Sequence, residues 1–196
     1  MNPVIVAIDG EASTGKSTQA KKIAEELNFD YRDSGAYYRA LTLYLIQNNI
    51  NSNEDISQAI LDKIDLKQTF KDNKLIIYLN NEDVSDKIRG YKVSINVSSY
   101  AKKSEIRNFV YTQLRKSAKS NSLVIDGRDI GTVVFPDADF KFFLFADSKV
   151  RAERRHKQIN DKSVKLKSIE KEIKTSGNIK FKLSINFAPL LCSCLS

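Results

Sequence analysis

Gly10-Glu11-Ala12-Ser13-Thr14-Gly15-Lys16-Ser17 decides how the rest of the chain is read. The spacing is G-x-x-x-x-G-K-[ST], and it stands where that spacing has physical meaning, after the apolar run Val4-Ile5-Val6-Ala7-Ile8 and before a helical pattern. Two glycines let the backbone wrap closely, so that successive N–H groups can point at phosphate oxygens, and the positive end of the following helix faces the same anion. Lys16 is expected to extend over the β- and γ-phosphates and the Ser17 hydroxyl to ligate Mg²⁺, with Thr18 closing the list of loop contacts. An ordinary glycine-rich turn would share the letters but not the strand before it and the helix after it. The loop is expected to hold a nucleoside triphosphate.

Outward from the loop, 17–27 places Ala20, Ile23, Ala24 and Leu27 at helical spacing, with Lys21, Lys22, Glu25 and Glu26 on the other side. Asn28 ends that helix, and Phe29-Asp30-Tyr31 reads as a short strand. Strand, loop, helix, strand predicts parallel strands joined by a crossover, so the class is α/β. Asp33-Ser34-Gly35-Ala36 reads as a small-residue turn at a strand end, where open α/β sheets place ligands, followed by a helix over 37–47 that carries Arg39 early. Residues 48–75 are polar, with a helix predicted near 54–64; 74–79 reads as a strand and 80–83 as a turn. The pattern over 94–116 is helical and carries Ser98, Arg107 and Arg115. Ser122-Leu123-Val124-Ile125-Asp126 is a second buried strand ending in a carboxylate, a position from which an acid assists Mg²⁺ through its hydration shell. The loop after it, Gly127-Arg128-Asp129-Ile130-Gly131-Thr132, holds two glycines, an arginine and a second acid beyond Asp126, an unusual make-up for a structural turn. A strand follows over 140–145, and a helix over 148–160 carries Arg151, Arg154 and Arg155, either a solvated face or a clamp for phosphoryl transfer. His156 is read as a surface residue.

With 196 residues and 41% hydrophobic content, the chain can build one good core with small inserted lobes. No run of about 18 apolar residues appears, so no membrane helix is expected. The N-terminus enters a strand at once, which leaves no signal peptide in view. Both cysteines, Cys192 and Cys194, fall in the last five residues, so no disulfide framework is expected and a cytoplasmic location follows. The net charge of +8 implies anionic partners. Highly phosphorylated ligands account for it as well as nucleic acid does, and no helix-turn-helix, zinc or RNA-recognition pattern supports the latter.

Asp33-Ser34-Gly35-Ala36 with Arg39, Ile106-Arg107, and above all Asp126-Gly127-Arg128-Asp129-Ile130-Gly131-Thr132-Val133-Val134-Phe135-Pro136 resemble the bacterial cytidylate kinases, from about Val4 to about Lys174. The resemblance implies a P-loop kinase core with a parallel sheet flanked by helices (1–36 and 120–149), a monophosphate-binding insertion (37–119), a lid region (150–175) and an atypical tail (176–196). It implies transfer of the γ-phosphoryl group of ATP to CMP or dCMP with Mg²⁺, by a monomer. Arg39 and Arg128 are then expected to hold the acceptor's phosphate and, with Lys16, to serve catalysis. Ser98, Arg107 and Asp129 are expected to read the cytosine, with Ser34 lining the same pocket. A carboxylate can accept from the cytosine 4-amino group, whereas uracil presents a carbonyl oxygen there. Residues 10–18 would hold ATP, Ser17 and, through water, Asp126 would hold the metal, and Arg151, Arg154 and Arg155 would close over the triphosphate.

The ending departs from this pattern. After Ile169-Glu170-Lys171-Glu172-Ile173-Lys174 the family shows an Arg-Asp pair and further charged residues in helical register; here Thr175-Ser176-Gly177-Asn178-Ile179-Lys180-Phe181-Lys182-Leu183-Ser184 carries no arginine or acid. A truncated or frame-shifted end is expected to impair turnover. The rivals are another small P-loop kinase and an ATP-binding remnant without turnover.

Overall fold

The structure, a computed structural model, describes residues 2–158; the expectations for the remainder of the lid region, for the helix near 169–174 and for the tail with Cys192 and Cys194 lie outside these residues. Four parallel strands form the central sheet in the order β2-β6-β1-β7: β1 is Ile5–Gly10, β2 Asp30–Asp33, β6 Leu123–Gly127 and β7 Phe140–Leu144. Alternation along the strands sends Val6, Ile8 and Val124 to one face, against Ala20 and Ala24 of α1 (Lys16–Leu27). Ala7, Leu123 and Ile125 go to the other face, against Leu41 and Leu45 of α2 (Ser34–Gln47) and Ile106, Val110 and Leu114 of α5 (Ser104–Ser117). With both faces covered, central strands read as continuous apolar runs, which is why β1 and β6 stood out in the sequence.

Between β2 and β6 the chain forms the short helix α3 (Gln58–Leu61) and the antiparallel strands β3 (Leu66–Lys71), β4 (Lys74–Leu79) and β5 (Glu82–Asp83), followed by a 3₁₀ turn, Lys87–Arg89. Helix α4 (Tyr91–Tyr100) and then α5 complete this stretch. After β6 comes a π-helical turn, Ile130–Val134, and after β7 the helix α6, Ser148–Gln158. None of the helices among the described residues is long and apolar enough to cross a membrane.

Several expectations are corrected. Phe29 is not in a strand: its N–H bonds back to Ala24 O at 2.9 Å and that of Asn28 to Glu25 O at 3.1 Å, with Asn28 left-handed at φ 53°, so both belong to a helix-ending motif and β2 starts at Asp30. The turn read over 33–36 is instead the start of α2, because the Asp33 carboxylate caps it by accepting from Ala36 N at 3.1 Å. The helix read near 54–64 shrinks to α3, and Glu82–Asp83, read as turn, pairs with Tyr78 and Leu79 as β5. The helix read over 94–116 is two: the Tyr100 hydroxyl donates to Ile50 O at 2.7 Å, and α5 restarts after an extended Lys103, so that Ile106, Val110 and Leu114 meet the core in a new register. Strand β3 was not read at all, because Gln68 occupies a buried, inward-facing position of its alternating pattern.

Candidate active site

In the registers of the sheet, Asp33 stands beside Asp126, Asp126 beside Ile8, and Gly127 beside Asp9. Three carboxylates and the start of the loop at residue 10 are thereby brought to the carboxyl ends of adjacent strands, where open α/β sheets hold their ligands. Gly15 caps α1 from a left-handed conformation, φ 96°, which a residue with a Cβ adopts only under strain. The Thr14 hydroxyl and Lys16 Nζ both donate to Glu11 O, at 3.0 and 3.2 Å, closing the loop on itself.

Asp126 is buried below this loop. The Ser17 hydroxyl donates to its Oδ2 at 2.7 Å and the Tyr31 hydroxyl to its Oδ1 at 2.6 Å. Burial, with the neighbouring Asp33 carboxylate, pushes its pKa up to about 6, against the hydrogen bond from Tyr31 and the charge of Lys16. Lys16 is itself lowered by burial, while Asp126 and Asp33 oppose that shift and Arg128 and Arg39 add to it. These five groups therefore share one electrostatic environment.

Asp33 ties that environment to two further elements. Its Oδ2 pairs with Arg39 Nη2 at 3.1 Å on the second turn of α2. Its backbone N–H and C=O are matched by the buried Gln68 amide, at 3.0 and 2.7 Å, so β3 is fastened to the end of β2 by a side chain that imitates a strand partner. Ser34 is buried next to Gly127; a Cβ there would lie 2.6 Å from the Ser34 hydroxyl oxygen and 2.5 Å from an Ile130 side-chain carbon, so only glycine fits. Arg128 is exposed.

Asp129 follows at once and is held from α5. Its Oδ2 accepts from Arg107 and, at 2.6 Å, from the Tyr111 hydroxyl, whose pKa is raised chiefly by burial and then by Asp129. The Tyr38 hydroxyl, also near Asp129, is pushed up to about 12, mainly by burial. Beneath, the Asp9 carboxylate accepts from Ile130 N at 2.7 Å and Gly131 N at 2.8 Å, fixing the turn after Asp129 to the strand that feeds the phosphate loop. Ser98 is exposed on α4, and no hydrogen bond among the described residues joins it to Arg107 or Asp129.

The α6 arginines do not stand alike. Arg151 is buried, ion-paired with Glu11, and donates from Nε to Ala12 O at 3.0 Å; Arg154 Nη1 donates to Thr14 O at 2.8 Å. Both grip the carbonyl side of the loop. Arg155 is half-buried without a hydrogen bond or ion pair among the described residues. A hollow of about 530 Å³ opens between α3 and α5 beside Ile56, Leu61, Ile64 and Phe109, and holds none of the groups gathered at the strand ends. Asp9, Tyr31, Gln68 and Tyr111 are the contributors that sequence reasoning passed over, and Asp33, though part of a quoted motif, was given no role of its own. Asp9 had a usable signal, a carboxylate ending a buried apolar strand, as at Asp126.

The sequence model described as cytidylate kinase matches residues 6–180. A cytidylate kinase of Halalkalibacterium halodurans is 40% identical over 192 residues, spanning 97% of this chain and 86% of that protein. Those of Clostridium tetani (48% over 174 residues, 87% and 75% of the two chains) and Thermosipho melanesiensis (42% over 164 residues, 84% and 73%) are similarly close. The loop at residues 10–17, the carboxylates at the ends of neighbouring strands and matches of this extent lead to the same place: the chain belongs to the cytidylate kinase family.

Proposed function

We propose that this chain transfers the γ-phosphoryl group of ATP to CMP or dCMP, giving ADP and CDP or dCDP. The observation that carries the reading is the nearness of Asp126, Asp33, Arg128 and Arg39 to Lys16, whose charge each of them acts on; a triphosphate held by residues 10–18 would there meet a monophosphate held by Arg39 and Arg128. An oxygen of the acceptor phosphate attacks the γ-phosphorus as the bond to the β-γ bridging oxygen breaks and ADP leaves. The protein's share is positioning and charge neutralisation, from Lys16 and the arginines. Asp129 accepts from the cytosine 4-amino group while Arg107 and Ser98 donate to the ring's acceptor atoms; Ser34 lines the same pocket.

The Ser17 hydroxyl and the Asp126 carboxylate, 2.7 Å apart, form a hard-oxygen pair of the kind that suits Mg²⁺, Ser17 as ligand and Asp126 through water. When bound, the ion would neutralise phosphate charge. Arg154 and Arg155 face the triphosphate, and Arg151 holds the loop that grips it. Residues 1–36 and 120–149 serve as the core, 37–119 as the monophosphate-binding insertion and 150–175 as the lid of a cytoplasmic monomer.

A coupled assay for ADP across the monophosphates tests this. ADP formation should depend on CMP or dCMP and rise little with UMP or AMP; an equal response to UMP would remove the cytosine-reading part. The departure after Lys174 favours a second reading, ATP binding without turnover, which predicts Mg-ATP protection against heat without ADP release.

A further inference from the structure

Tyr111 stands four residues after Arg107 on α5, on the same helix face. Its hydroxyl accepts from Arg107 Nη2 and donates to Asp129 Oδ2. Arg107 Nη2 donates to that same carboxylate oxygen. Both donors thus converge on Oδ2, and no hydrogen bond among the described residues reaches Oδ1. The Tyr111 ring is flanked by two guanidiniums, Arg107 at 5.3 Å and Arg115 at 6.0 Å from its centroid. Arg115 in turn donates to Val134 O and Val133 O, each at 3.0 Å, and the N–H groups of those two residues bond to Asp129 O at 3.2 and 2.9 Å. Side chain and backbone of Asp129 are therefore both set from α5.

A guanidinium left to itself closes on a carboxylate through two parallel bonds and takes up both oxygens. At this site the phenol oxygen occupies part of the Arg107 fork and shares Oδ2, which keeps the guanidinium to one side. We propose that Tyr111 is the positioning residue for base discrimination: it prevents Arg107 from closing over Asp129 and leaves Oδ1 open to an exocyclic amine. This rests on the reading of Asp129 as the group that faces the cytosine. Removing the hydroxyl frees Arg107 to cover both oxygens, which costs the amine its acceptor while leaving the phosphate-binding groups in place.

The test uses the full chain and Tyr111→Phe, with CMP, UMP and ATP affinities by titration calorimetry and steady-state constants for CMP. Loss of a hydrogen bond to a charged group should weaken CMP binding about tenfold in Tyr111→Phe while UMP binding moves less than about twofold. ATP affinity, and kcat at saturating CMP, should stay within about twofold, and Tyr111→His, which keeps a donor, should retain most of the preference. An unchanged CMP-to-UMP ratio in Tyr111→Phe, with the parent preferring CMP, overturns the proposal alone. A parent that does not distinguish CMP from UMP overturns the reading of Asp129 and the proposal with it. Loss of ATP binding in both variants would make Tyr111 a packing residue, which also overturns it.

Discussion

Within the phosphate loop the hydrogen bonds are short in sequence: Thr14 and Lys16 reach Glu11 O from three and five residues away. At the turn after β6, Arg107 and Tyr111 reach Asp129 over 22 and 18 residues, from a helix onto a strand-end turn. The first assembly closes on itself by such local bonds and is braced from α6, where Arg151 and Arg154 reach Ala12 O and Thr14 O across 139 and 140 residues. The second exists only when α5 is seated over β6 and the turn after it. On the proposed roles, grip on the triphosphate and choice of base rest on different elements, so each should be open to damage without the other.

The largest effect should come from breaking the loop side. Lys16→Met should lower kcat by about three powers of ten or more, because a charge that neutralises the transferring phosphate is lost, while the melting temperature holds. On the base side, Asp129→Asn should cost about a hundredfold in kcat/KM for CMP and narrow or reverse the preference over UMP, since an amide can donate to the uracil oxygen. Its ATP affinity should be unaltered by calorimetry; a matching loss there would show that the two sides are one unit.

Legibility followed the same division. Residues 10–17 were readable because spacing, glycines and flanking elements lie in one run. The strands β1 and β6 were readable as continuous apolar runs because each is buried on both sides. Gln68 hid β3 because a polar residue filled an inward position, and its partner, the Asp33 backbone, lies 35 residues away. Asp9 meets its partners across 121 and 122 residues, so only the fold reveals what it holds. Tyr111 was visible in principle, one helical turn from Arg107, but resembled a core residue of an amphipathic helix.

Two smaller effects sharpen the contrast. Gln68→Ala removes both amide contacts to the Asp33 backbone and should cost about 1–3 kcal/mol in denaturant unfolding. It should raise KM for CMP more than KM for ATP, because Asp33 sets Arg39. The last effect is in pH. The Asp126 pKa is raised from 3.8 to about 6, so the folded chain keeps a proton that the unfolded chain has lost. Stability therefore falls as pH rises across that interval and levels above it, whereas activity, on the proposed role of the ionised Asp126, should rise through about 6. Tyr31→Phe removes a bond that favours the ionised form, so the acid limb of the rate profile should move to higher pH. A limb that stays put would remove Asp126 from the reaction.

That the two assemblies face one cleft is best tested with a single compound joining adenosine and cytidine through five phosphates. If residues 10–17 and the turn at 127–129 hold their ligands in line, its affinity should exceed that of ATP or CMP alone by about a hundredfold or more in calorimetry. Binding no tighter than ATP would contradict a shared cleft.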